Sequence, residues 1–140
     1  NLDILFNFIA LSYLMELEHP IVAKIIRDGI NSVDLSMLED KGKDILSYVG
    51  DRLYKLNKIP EAVKILEKAG NFEKLKDFGD QLLMQNKAEL AVLCFIPTGD
   101  KERLEKAAEL CIHIENYKLA AKAYETAGNK DLAEFLKKNF

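Results

Sequence analysis

Apolar side chains along this chain are spaced for helices. Leu46, Val49, Leu53 and Leu56 fall on one helical face with Gly50 among them, and Ala62, Ile65, Leu66 and Ala69 fall on another. Two amphipathic helices are therefore predicted, separated by Asn57-Lys58-Ile59-Pro60. This tetrapeptide reads as a helix end, a turn, and a proline at the first position of the next helix, where its missing N–H costs nothing. Gly70 closes the second helix, because a residue without Cβ can take the left-handed conformation that satisfies the last carbonyls.

The pattern then repeats. Gly70, Gly99 and Gly128 are each 29 residues apart. Ala62, Ala91 and Ala120 keep the same interval, as do Leu46, Leu75 and Leu104, then Leu53, Leu82 and Cys111, and the bulky trio Leu66, Phe95 and Tyr124. Gly50, Gly79 and Ala108 form a small-residue trio. Asn71, Asp100 and Asn129 follow the terminal glycines and are predicted to cap the next helix by accepting hydrogen bonds from its first turn. Gly50 with Ala62, and Gly79 with Ala91, are expected to remove bulk where paired helix axes cross, bringing them toward the lower end of the usual ~8–10 Å.

The run Leu46-x2-Val49-Gly50-x2-Leu53, followed by Ala62-x3-Leu66 and Ala69, resembles the tetratricopeptide repeat, whose pattern is a large residue, Leu-Gly, an aromatic, and later Ala and Phe. Leu75, Phe78, Gly79, Leu82, Ala91 and Phe95 carry the second copy, and Leu104, Ala107, Ala108, Cys111, Ala120, Tyr124 and Ala127 the third. The chain departs from the family in period and in lacking its late proline, so a shorter turn between units is expected. Such tight repeats are also similar in style to the α-solenoid tails of coatomer and intraflagellar-transport subunits. The resemblance implies an all-α, right-handed α-solenoid of antiparallel helical hairpins, about four of them plus a C-terminal helix.

One domain over residues 1–140 is expected. Its parts are a divergent N-terminal hairpin with a short helix over 1–43, repeats over 44–70, 71–99 and 100–128, and a terminal helix over 129–140. Pro20-x3-Lys24-Ile25-Ile26 parallels Pro60-x3-Lys64-Ile65-Leu66 and places the first hairpin's helices over 2–18 and 20–29, with a short capped helix around Asp34–Leu38. The chain opens on Asn1 and stops a few residues into a helix-like segment, which is expected of a piece of a longer protein. Leu132, Phe135, Leu136 and Phe140 read as one apolar stripe, so self-association through the terminal helix is a further expectation.

Composition narrows the function. A net charge of −3 argues against a phosphate-neutralising surface, so no nucleic-acid partner is expected. Leu2 to Met15 is the most apolar run, but Asp3, Asn7 and Ser12 interrupt it, which predicts a buried helix and no membrane insertion. Cys94 and Cys111 lie in apolar helical stretches, and two thiols make no disulfide framework; a reducing, cytoplasmic setting is expected. Cys111 takes the position of Leu53 and Leu82, which predicts packing and not reactivity, while His113 takes that of Lys55 and Met84, a surface position. No phosphate-cradling loop, nucleophile elbow or metal-ligand spacing is present, so neither catalysis, nor a cofactor, nor a metal is expected.

One polar feature recurs with the repeat. Asp51, Asp80 and Glu109 each follow the small residue of a first helix. In a tetratricopeptide-like superhelix the first helices line the concave face, so the resemblance places these carboxylates, with Tyr54, Lys55, Leu83, Met84, Ile112 and His113, on or near a partner-binding surface. The alternative reading is that each acid pairs with a neighbouring base such as Arg52 or Lys106 and solubilises its helix. The family's peptide-carboxylate clamps use Lys, Arg and Asn on this face, so an acidic ladder favours a neutral or basic partner segment. The function expected is that of a protein–protein interaction scaffold or adaptor segment. The alternatives are a docking arm of a larger enzyme or of a trafficking-coat-like assembly, and a nucleic-acid-binding helical repeat.

Overall fold

The computed structural model describes residues 20–34 and 39–140. Among the described residues the protein is entirely helical, with no strand. Helices α1 (Pro20–Asp28), α2 (Glu39–Lys55) and α3 (Ile59–Ala69) belong to one compact unit, Asn1–Gly70. Helices α4 (Phe72–Met84), α5 (Ala88–Phe95), α6 (Lys101–His113), α7 (Tyr117–Ala127) and α8 (Lys130–Asn139) form a second, Asn71–Phe140. Within each unit, helices consecutive in sequence pack on one another, and α5 also packs on α7. The predicted helix over 2–18 and residues 35–38 of the predicted short helix lie outside the described residues. The helix expected to begin at 44 already runs from Glu39, and Ile30–Ser32 form a single 3-10 turn.

The core of the first unit joins Val22 and Ile25 of α1, Ile45, Leu46, Val49 and Leu53 of α2, and Ala62, Ile65 and Ala69 of α3. In the second unit Leu75, Phe78 and Leu82, then Val92, Cys94 and Phe95, then Leu104 and Cys111 hold the corresponding buried positions. Both cysteines are free and buried, as their place in the repeat predicts. Burial pushes the Cys94 thiol up to about 12 and, with a smaller contribution from Glu89, the Cys111 thiol up to about 11.

Chain reversals follow one rule. Gly70, Gly99 and Gly128 all have positive φ, at 69°, 64° and 91°, as predicted for residues that close a helix in the left-handed conformation. Asn71, Asp100 and Asn129 accept from the backbone N–H groups of Lys74, Arg103 and Leu132. A second set of left-handed residues ends the first helix of each repeat: Asn57, already read as a helix end, with Asn86 and Glu115, at φ of 62°, 59° and 62°. They too are 29 residues apart. After each, the next N–H reaches back to a carbonyl five residues earlier, Lys58 to Leu53, Lys87 to Leu82 and Asn116 to Cys111, at 2.8–2.9 Å. Asparagine tolerates this conformation, whereas glutamate is strained in it. Glu115→Asn is therefore expected to raise stability by about 0.5–1 kcal/mol. A thermal midpoint unchanged or lowered in that variant would contradict strain at Glu115.

Pro97 sets α5 apart. Its missing N–H stops the α-helix at Phe95, and Ile96–Thr98 tighten into a 3-10 turn. The Thr98 hydroxyl donates to the Phe95 carbonyl at 2.6 Å and accepts from the Asp100 N–H, tying the end of α5 to the start of α6.

At the helix crossings the glycines face large side chains. A Cβ at Gly79 would lie 2.2 Å from Cε1 of Phe95, and one at Gly50 would lie 2.6 Å from the Leu66 side chain. The glycines thus make room for the large residue of the partner helix. Ala91 and Phe95 lie one turn apart on one face, and the larger occupies the space.

Candidate functional site

Helices α4 and α6 meet at their polar faces through Arg103. Its Nε donates to Oδ1 of Asp80 at 3.0 Å and its Nη2 to Oδ2 at 2.9 Å, a two-pronged pair across the helices. Its Nη1 donates to Oδ2 of Asp100 at 2.9 Å, while the Arg103 N–H donates to Oδ1 of the same residue. Lys76 approaches Asp100 at 3.8 Å and Glu73 at 3.3 Å. Asp100 is thus both the N-cap of α6 and a joint between two first helices.

The capping N–H of Arg103, and after it the Arg103 guanidinium, hold the Asp100 carboxyl below the usual carboxylate range against the opposing effect of burial. A folded-state value below the unfolded one of ~3.9 means that the ionised form stabilises the fold above that pH. The contribution is lost as pH falls through the folded value. Asp100→Asn keeps a capping oxygen but removes the charge. The stability advantage of the natural chain over it should hold from about pH 7 to 5 and shrink below about pH 4. Thermal melts across that range test this, and a gap independent of pH would contradict it.

Beside the Asp80–Arg103 pair lies a shallow groove lined by Asp80, Leu83, Met84, Glu102, Arg103, Lys106 and Leu110. Met84 is 85% exposed and Leu110 is 37% exposed, while Leu83 is half-buried, so apolar surface stays open to solvent between charged rims. The ionisable groups balance: Asp80 and Glu102 against Arg103 and Lys106.

Of the residues singled out in the sequence, Asp80 and Met84 come together here with Leu83. Glu109 and His113 lie exposed on α6 outside this groove, with Ile112 half-buried between them. Asp51, Tyr54 and Lys55 belong to the first unit, where the Lys55 ammonium pairs with Asp51 at 2.9 Å. Asp51 thus meets a neighbouring base, as the alternative reading expects, because residues four apart on a helix face one another. Asp80 finds Arg103 only because α6 lies against α4. Arg103, Glu102, Lys106 and Leu110 were missed as groove residues. Arg103 occupies the repeat position of Lys74, so a base stands there in two successive repeats.

Among the described residues no three His, Cys, Asp or Glu side chains are grouped to hold a metal ion, and no helix is long and apolar enough to cross a membrane. Compared with family models, curated proteins and solved structures, the chain matches none. The class defined by fold and sequence is therefore an all-α protein of packed consecutive helices, patterned as a helical repeat.

Proposed function

We propose that this chain is a non-catalytic scaffold or adaptor segment, a tetratricopeptide-like right-handed α-solenoid whose first helices present a surface to a partner protein. The observation that carries this reading is the groove between α4 and α6, where Met84 stands exposed beside Leu83 and Leu110 and the polar rim is held in place by the Asp80–Arg103 pair. Methionine is flexible and polarisable and adapts to apolar partner side chains, and a preset rim limits the ordering needed on binding. The balanced charge of the groove favours a segment with apolar anchors and little net charge over a strongly charged tail.

A photo-crosslinking side chain placed at Met84 tests the reading, with the same side chain at the exposed Lys122 of α7 as control. Discrete adducts are expected from the Met84 position and not from Lys122, and Leu110→Glu should suppress them. Adducts equal at the two positions, or insensitive to Leu110→Glu, would remove the groove as a binding surface.

A further inference from the structure

The guanidinium of Arg103 is held by its edge. Of its five N–H donors, the one on Nε and one on Nη2 go to Asp80, and one on Nη1 goes to Asp100, at 2.9–3.0 Å. Its charge is thus answered within the chain by two carboxylates. An anionic side chain from a partner would meet those same carboxylates, so charge gives no reason for an acidic occupant. Yet Arg103 still lines the groove between α4 and α6, and its side chain is 35% exposed. With most of the edge taken, a binding group gains most from the flat, weakly hydrated face.

The neighbours of that face favour the same kind of occupant. Met84 places an exposed thioether on the groove wall, and a thioether attracts an aromatic ring beyond what the area in contact supplies. Leu83 and Leu110 complete the apolar lining. The groove offers about 530 Å³, room for one aromatic side chain and the backbone that carries it. We propose that it takes an aromatic side chain of a partner protein, the ring lying on the Arg103 guanidinium with its edge against the Met84 thioether. The assignment rests on the reading of this groove as a partner-binding surface and specifies the side chain that anchors there. Asp80 and Asp100 fix the plane of the guanidinium before the ring arrives, so little ordering is required on binding.

The test uses a neutral, alanine-based peptide carrying one phenylalanine between leucines, and a twin with cyclohexylalanine in its place. The twin matches the ring in size and exceeds it in hydrophobicity, so only contacts to the π-system favour phenylalanine. In the chain isotopically labelled at the methionine methyls, the Met84 signal should move upfield with the phenylalanine peptide, through the ring current, and not with the twin. Affinities read from the backbone amide signals should favour phenylalanine by about three- to tenfold. Arg103→Lys keeps the charge but loses the plane and should bring the two affinities together, with circular dichroism showing that the variant is folded. Met84→Leu changes an exposed residue and should reduce the preference by about twofold. Equal binding of the two peptides, binding of neither, an unmoved Met84 methyl signal, or a preference that survives Arg103→Lys overturns the assignment. Should Arg103→Lys fail to fold, a preference unchanged in Met84→Leu does the same. If Met84 crosslinking to a partner persists while the peptide effects fail, the scaffold reading stands and only the aromatic site falls. Loss of both removes both.

Discussion

Phe95→Ala is expected to lower stability by about 3–5 kcal/mol, the largest single loss foreseen for this chain. Phe95 is fully buried, and its ring lies where a Cβ at Gly79 would be. Truncation leaves a cavity walled on one side by a residue with no side chain, so little can collapse into it and the cost should sit toward the upper end of the range. Urea titrations followed by far-UV circular dichroism should show a lower midpoint with an unchanged slope. Phe95→Leu fills part of the space and should lose only about 1–2 kcal/mol, which provides a measurable variant if the alanine form is largely unfolded. A loss below about 1 kcal/mol in Phe95→Ala would mean that α5 does not pack on α4 through this ring.

The second large effect comes from the opposite change. Gly79→Ala would ordinarily favour a helix by about 1 kcal/mol. Here the added methyl meets a buried ring at 2.2 Å, and overpacking costs about 1–3 kcal/mol, so a net loss is expected. Gly50→Ala meets the Leu66 side chain at 2.6 Å, and a leucine relaxes by rotation more easily than an enclosed ring, so its loss should be smaller. The two positions in contact should also couple. Gly79→Ala combined with Phe95→Leu should be less destabilising than the sum of the single changes, whereas strictly additive values would show that methyl and ring do not meet. The third repeat already carries Ala108 at this position, with Tyr124 as the large residue and both buried.

The candidate groove was half legible before the fold was known. Asp80 and Met84 stood out because they recur at fixed places on predicted first helices. Arg103 did not, since nothing within a few residues of Asp80 names a partner 23 positions away. The same limit concealed how the terminal helix divides its apolar residues. Leu132 and Phe135 read as part of one apolar stripe with Leu136 and Phe140, yet the stripe divides once α7 covers Leu136 and Tyr117 stacks on Phe140. The left-handed turns show a subtler miss. Asn57 and Asn86 carry a recognisable signal, but Glu115 in the third copy obscures it, because packing on both sides holds the backbone there in a conformation that glutamate itself disfavours.

By itself the sequence determined, within the three repeats, where the helices turn and most of the residues they bury. Those features depend on forces acting within a turn or two: the i, i+3 and i+4 spacing of Leu75, Phe78, Gly79 and Leu82, the caps at Asn71, Asp100 and Asn129, and the left-handed closure at Gly70, Gly99 and Gly128. Only the tertiary structure decided which large side chain each glycine receives, which base each acid meets, and which apolar residues remain open to a partner. Each of these depends on how neighbouring helices are offset and rotated against one another. That geometry is set by the summed packing of many side chains, so no local stretch of sequence specifies it.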